Sequence, residues 1–333
     1  MFTQKWGDAY YSHDIGPDAD SNSARHWIEN LERYQPDLKQ RVQRTVDQWN
    51  LIVRDQLRNE TALRLNIESK SNHTENKNIQ IPIKVVDGLP EPLIDILRRY
   101  SEQAPILLNE KSFADTASGL DIAIEQFSAL QTLCPSPISQ SDLGNVTGWF
   151  QQILEQLKQI DLKQRLRNLD QDILGAYFLN SPRVEIYWVA IGIYAQLYSI
   201  SIEGLCLVVL AHELAHAYTH RGKDIDGTTW ETKDFGNADL GIVEGLAQFY
   251  TKTVCEKLAA RFPAALEAYQ ALLQTQSPIY TEHEQWIEYH PQIEQHLKEA
   301  VRFSMIQCRS EGIVRYDEFM RVLHDVGNFP FSR

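Results

Sequence analysis

Cysteine is scarce in this chain, and the residues that do occur lie far apart. No two of them form a C-x-x-C pair, so the sequence lacks the framework of a disulfide-rich domain and the thiolate set of a zinc ribbon. The four are Cys134, Cys206, Cys255 and Cys308. This usage favours an intracellular protein.

Positive charge is also in short supply. Lysine and arginine together number 32 against 45 aspartate and glutamate residues, which gives a formal net charge of −13. Nucleic-acid affinity depends on clustered cations, so a nucleic-acid partner is not expected.

A targeting or membrane-spanning segment is not expected either. Residues 1–30 contain aspartates and no apolar core run, so no signal peptide is expected. The longest apolar stretch, 187–210, is interrupted by polar residues and leads into two histidines and a glutamate, which a bilayer would penalise heavily. We therefore expect a cytoplasmic protein with no membrane partner.

The length of 333 residues fits about two domains. A series of helix breakers begins at Cys134-Pro135-Ser136-Pro137 and marks 134–145 as a linker. We therefore expect an N-terminal helical region with a β-hairpin (1–133), a core region (146–260) and a C-terminal helical region (261–333).

The apolar pattern predicts an α+β, mostly helical fold with a small sheet. Alternation over 62–68 and 79–86 predicts a hairpin, and the β-branched and aromatic residues of 183–193 predict another strand. Two strong helices are expected at about 202–220 and 240–260.

The most informative residues lie on the first of these helices. His212 and His216 are four residues apart, so on a helix their imidazoles lie one above the other on one face. In that arrangement they could bind one tetrahedral metal ion, most simply Zn²⁺, with Glu213 beside it as a base for a metal-activated water. Ser201 is a good N-cap for such a helix.

The pattern also has a purely structural interpretation, because a core helix can carry two histidines with satisfied hydrogen bonds. The apolar surroundings favour the metal site. Burying two imidazoles and a carboxylate costs several kcal/mol unless these groups are paired or bind a metal.

A tetrahedral site needs a third protein ligand, and Glu244 is the strongest candidate. Its neighbours in the helical segment 240–260 are apolar, and Gly245 would allow the two helix backbones to approach closely. Gln248, one turn further on, could hold a ligand imidazole through its amide oxygen. Asp234, and after it Asp226, is the second choice for the third ligand.

These motifs resemble those of known enzymes. His212-Glu213-x-x-His216 followed by Glu244-Gly245-Leu246-Ala247 is similar to the gluzincin branch of the zincin metallopeptidases, over about 183–255. The resemblance implies a zincin-like catalytic core with two active-site helices and one Zn²⁺ per chain. His212, His216 and Glu244 would bind the zinc, and Glu213 would act as general base. The Gly-x-Met-Glu-Asn signature of the aminopeptidases in that branch is missing, so aminopeptidase specificity is not implied.

The expected function is hydrolysis of peptide or protein substrates, with an endopeptidase as the first choice. The alternatives are an inactive zincin-fold binding protein and a zinc hydrolase that acts on a non-peptide amide. The 183–193 strand is expected to border the cleft and to bind an extended peptide by strand addition. Candidates for stabilising the oxyanion are Tyr280, His283, Tyr289 and His290.

Overall fold

The computed structural model describes residues 21–65, 67–68, 78–133, 140–167, 169, 173–276, 278–289 and 296–327. This part of the chain is mostly helical with little β structure, as the sequence predicts, but its strands form two small sheets and not one. The helices are α1 (Ser21–Tyr34), α2 (Leu38–Thr61), α3 (Glu91–Arg99), α4 (Ala104–Leu107), α5 (Glu110–Leu133), α6 (Gln140–Gln159), α7 (Leu162–Arg167), α8 (Trp188–Tyr198), α9 (Ile202–Arg221), α10 (Thr232–Asn237), α11 (Leu240–Leu258), α12 (Pro263–Leu273), α13 (Glu282–Tyr289), α14 (Leu297–Glu311) and α15 (Tyr316–Gly327). The strands are β1 (Ile67–Glu68), β2 (Asn78–Ile79), β3 (Ile83–Val86), β4 (Gly175–Phe178) and β5 (Arg183–Tyr187).

Helix α9 lies at the centre of the fold. Nearly all of its side chains are buried, and α2, α11 and α12 pack around it. Such a helix needs apolar residues on every face, and its N-terminal half from Leu205 to Leu210 supplies them. The polar residues of its second half are therefore held inside the protein.

The predicted hairpin is only partly correct. β1 and β2 form a short antiparallel pair whose register aligns Ile67 with Ile79. β3 belongs to a different sheet, because it pairs in parallel with β5 from Ile83↔Val184 to Val86↔Tyr187. Pro82 separates the two strands and has no N–H for a ladder, although its carbonyl accepts a hydrogen bond from Val184 N at 2.9 Å.

The predicted strand at 183–193 ends six residues early. The chain is extended only over β5, and from Trp188 it turns into α8, whose residues are buried on almost every side. A run that is apolar all round has neither the two-residue period of a strand nor the 3.6-residue period of a helix, so pattern alone does not separate the two.

The sequence pattern does not predict strand β4 (Gly175–Phe178). It pairs antiparallel with β5, and the resulting sheet has the order β3-β5-β4. All four of its residues are buried, so it shows no alternation of polar and apolar side chains. This order makes β5 the central strand and leaves β4 at an edge.

The expected domain division stays a prediction. Residues 134–139 of the predicted linker lie outside the described residues, and 140–145 form the first turns of α6. A connected cluster of buried apolar side chains extends from Trp27 in α1 to Leu323 in α15. In the described part of the chain, no helix has the length and apolar character needed to cross a membrane.

Candidate metal centre and active site

The helix that carries the two histidines is capped as expected. Ser201 Oγ accepts a hydrogen bond from Gly204 N at 3.1 Å, which satisfies one of the free N–H groups of the first turn. Glu203 in that turn forms a two-pronged ion pair with Arg41 of α2, at 2.7 and 2.9 Å. The N-terminal end of α9 is thus fixed to the N-terminal region of the chain.

Three candidate ligand atoms lie close together, two of them on α9 and one on α11. His212 Nε2 and His216 Nε2 are 3.1 Å apart, and Glu244 Oε2 of α11 lies 3.2 Å from the first and 3.5 Å from the second. At a metal–ligand distance of about 2.0–2.1 Å, the edges of a tetrahedron are about 3.3 Å long. The triangle therefore fits one face of a tetrahedral zinc site.

The burial of the same groups supports a metal. His212, His216 and Glu244 are 6%, 1% and 1% exposed, and Glu244 Oε1 is buried without a hydrogen-bond partner among the described residues. Burial raises the pKa of Glu244, but the two imidazoles outweigh this effect and hold its pKa below the ordinary value. A buried carboxylate with two imidazoles is a typical zinc donor set. In the described part of the chain it is the one cluster of three or more such side chains that could hold a metal ion.

Two aromatic residues from the C-terminal region hold Glu244 in place. A Cβ on Gly245 would lie 2.6 Å from Trp286 Cζ2. The glycine therefore makes room for this indole, and the prediction that it lets the backbones of α9 and α11 approach each other is wrong. Trp286 Nε1 donates to Tyr316 Oη at 3.1 Å, and Tyr316 lies against Gly241 in the first turn of α11. Helices α13 and α15 therefore support the turn that carries the third ligand.

Glu213 lies against the edge strand. Its side chain is 2% exposed, and a Cβ on Gly175 at the start of β4 would lie 2.9 Å from Glu213 Cγ and 2.7 Å from Val209 Cγ1. Only glycine allows the strand to approach α9 this closely. No sequence signal marked this contact, because β4 itself was not predicted.

A pocket opens beside His212 and Glu213. Its walls come from β4, α8, α9, α11 and α12, from the end of α7 and the residues after it, and from the turn that carries Tyr280. The lining is largely apolar. Polar groups at this pocket include Arg167, Gln248 and Gln276. A substrate that enters it would meet the carboxylate of Glu213 and the imidazole of His212 directly.

Tyr280 is the oxyanion candidate that lies at this pocket. Its side chain is 5% exposed, and its ring centroid is 6.2 Å from that of His212. Tyr289 ends α13, while the position of its side chain and the whole of His290 lie outside the described residues.

His283 holds the backbone next to Tyr280. Its Nδ1 lies 3.1 Å from the carbonyl oxygen of Tyr280, and its Nε2 lies 2.9 Å from Tyr269 Oη. Since a carbonyl only accepts, Nδ1 carries the proton and Nε2 accepts from the tyrosine. Burial lowers the pKa of His283 to about 4, so its imidazole is neutral near pH 7.

The structure brings the remaining ligand candidates to other places. Asp234 lies on α10, where its Oδ2 would be 3.2 Å from a Cβ on Gly312, and Asp226 lies in the exposed turn before α10. Neither belongs to the cluster of ligand atoms. Gln248 Nε2 donates to Gln276 Oε1 at 3.2 Å, and its support of a ligand imidazole stays a prediction.

His220 forms a second buried polar group on α9. Its Nδ1 lies 2.9 Å from Tyr177 Oη of β4 and its Nε2 lies 3.0 Å from Thr232 Oγ1. Phe235 stacks on the ring at a centroid distance of 4.7 Å. Burial lowers the pKa of His220 to about 3. This histidine is therefore neutral near pH 7, and it joins β4 and α10 to the end of α9.

Comparison with protein-family models, with curated proteins and with solved structures gives no match for this chain. The geometry of the site therefore carries the functional conclusion.

Proposed function

We propose that this protein is a zinc-dependent peptidase, an endopeptidase that hydrolyses peptide or protein substrates. One observation carries the proposal: the ligand atoms of His212, His216 and Glu244 lie within 4.8 Å of one another, and His212 lines the same pocket as Glu213. These three side chains would hold one Zn²⁺ per chain, which when bound would supply a Lewis acid and lower the pKa of water to about 7.

Glu213 is the proton carrier in this proposal. Its position next to His212 in the sequence and in the pocket allows it to take a proton from the attacking water and pass it to the leaving amine. Gly175 limits the movement of the carboxylate on one side. Tyr280 supplies an O–H group at the same pocket that can stabilise the charge developing on the substrate oxygen.

Substrate binding is assigned to the pocket at the start of β4 and not to β5, which the sequence favours. β5 is paired on both sides by β3 and β4, so its backbone groups are already used. β4 is paired on one side only among the described strands, and its first residue, Gly175, lies against Glu213. A peptide in the pocket would pass Gly175, which lines it, and would therefore run next to the proton carrier.

Peptide hydrolysis by matched variants tests the proposal. With zinc supplied, the wild-type chain is expected to cleave members of a mixed peptide library. Glu213→Gln should keep the zinc and lose activity about 100-fold or more. Glu256→Gln changes an exposed carboxylate on α11 and should remain fully active.

Two outcomes contradict the proposal. If the wild-type protein binds zinc and cleaves no peptide, it is an inactive zincin-fold binding protein or a hydrolase of a non-peptide amide. If Glu213→Gln cleaves peptides as fast as the wild type, Glu213 does not carry the proton.

A further inference from the structure

Helices α5 and α6 form a hairpin that we call the arm. The rings of Phe127 and Phe150 meet across it at a centroid distance of 5.6 Å. A second contact joins Gln131 and Gly144, because a Cβ on Gly144 would lie 3.2 Å from Gln131 Nε2. From the first contact to the second, the residue number rises on α5 and falls on α6. The two helices are therefore antiparallel.

The arm carries most of the exposed apolar surface of the described residues. Eight large apolar side chains are exposed in this part of the chain, and five of them lie on the arm. These five are Ile122, Leu130, Leu133, Trp149 and Ile153. Trp149 and Leu133 are the most exposed of the five, at 72% and 76%. Exposed apolar side chains that occur singly are ordinary, but a group on one motif marks an interaction surface.

The five side chains share one face of the arm. At about 100° per residue, Ile122, Leu130 and Leu133 lie on the same flank of α5 relative to Phe127. Trp149 and Ile153 lie on the corresponding flank of α6 relative to Phe150. Because the helices are antiparallel and the two phenylalanines face each other, these two flanks point in the same direction. We call this surface the apolar face.

Charge is absent where this face is most apolar. No Asp, Glu, Lys or Arg occurs in 126–133 of α5 or in 143–154 of α6, although such residues make up 23% of the chain. Depletion of charge with an exposed tryptophan is characteristic of the central part of a protein–protein interface.

We propose that the apolar face is the contact surface of a homodimer, in which a second copy of this chain provides the opposing arm. Two helical hairpins placed face to face form a four-helix bundle, and a two-fold axis lets the same face bind itself. The five side chains would bury on the order of 500 Å² per copy. Together with the polar residues around the apolar face, the buried area reaches the size that a specific dimer needs.

The absence of charge on the apolar face favours a second copy over a membrane or a basic helix. Two chains of net charge −13 repel each other over most of their surface, and segments 126–133 and 143–154 let two copies meet without placing like charges together. A membrane-binding face normally carries Lys or Arg beside its apolar residues, and 126–133 and 143–154 have none. A basic helix would find no carboxylate in these segments either.

Sedimentation equilibrium of the full-length chain tests the proposal. The wild type is expected to dimerise at concentrations of about 1–100 µM. Trp149→Glu should raise the dimer dissociation constant at least about 100-fold, because it places a charge at the centre of the interface. Ile225→Glu is the matched control, since Ile225 is 99% exposed and lies outside the arm, and this variant should dimerise like the wild type.

Three results overturn the proposal. The first is a wild type that stays monomeric across this range while its circular dichroism shows the helical fold. The second is a folded Trp149→Glu variant that dimerises as well as Ile225→Glu. The third is a monomeric wild type that binds phosphatidylcholine vesicles through Trp149, which would make the apolar face a membrane contact.

Discussion

Gly175 of β4 and Glu213 of α9 lie so close that any side chain at position 175 would displace its neighbours. A Cβ there would be 2.9 Å from Glu213 Cγ. The contact joins the edge of the sheet to the carboxylate that we assign as proton carrier. The strand and the helix therefore define the position of this carboxylate together.

Gly175→Ala should damage catalysis more than it damages the metal site. The new methyl group would press on Glu213 and Val209, which should lower kcat/KM at least about tenfold and cost about 1–3 kcal/mol of unfolding free energy. The zinc content should stay at that of the wild type. Gly119→Ala on α5 is the control, because no atom lies within 4 Å of its added methyl group. An undiminished kcat/KM in Gly175→Ala would refute the close contact.

Tyr280→Phe isolates the proposed role of the phenol. The substitution keeps the ring beside His212 and removes only the O–H group, so kcat should fall about 100-fold with little change in KM. Tyr198→Phe serves as control, since its hydroxyl bonds to Lys163 O at 3.2 Å away from the pocket. Equal kcat values for the two variants would assign the oxyanion to another group.

Gly245→Ala should weaken metal binding. The added methyl group would meet Trp286 at 2.6 Å and displace the turn that carries Glu244. We expect the zinc dissociation constant to rise about tenfold, as is usual when the support of a ligand is disturbed. Competition with a fluorescent chelator measures this constant, again with Gly119→Ala for comparison. Unchanged affinity would show that Trp286 does not fix the position of Glu244.

The buried His220 should make stability depend on pH. Its pKa is about 3 in the folded protein and near 6.5 in the unfolded chain, so between these values the unfolded state binds more protons. The free energy of unfolding therefore falls as the pH falls through this window, by up to about 1.4 kcal/mol per pH unit for this group. His220→Gln should show a shallower slope by that amount.

Urea unfolding of the metal-free protein between pH 7 and pH 5 measures this slope, with the pH range chosen from the folded and unfolded pKa values. His324→Gln is the control, because this side chain is 52% exposed. If His220→Gln and His324→Gln lose stability equally with falling pH, the buried histidine is not the cause.

The candidate ligands could be found from the sequence because their signals are local or nearly so. His212 and His216 lie on one capped helix, and the apolar neighbours of Glu244 indicated a buried carboxylate. The contacts made by β4 could not be found in this way. Its four residues are all buried and show no period, so neither the Gly175–Glu213 contact nor the Tyr177–His220 hydrogen bond had a sequence signal. Periodicity also misassigned Trp188 to a strand, because α8 is apolar all round.

The zinc content per chain tests the central claim most directly. The account predicts about one zinc ion in the wild type and in Asp234→Asn, and loss of that zinc in His216→Ala and Glu244→Gln. Circular dichroism of each variant separates loss of metal from loss of fold. If zinc is lost in Asp234→Asn and kept in Glu244→Gln, the assignment of Glu244 as the third ligand is wrong and Asp234 takes its place. If no form of the folded protein binds zinc when it is supplied, the metal centre and the proposed peptidase activity are both contradicted.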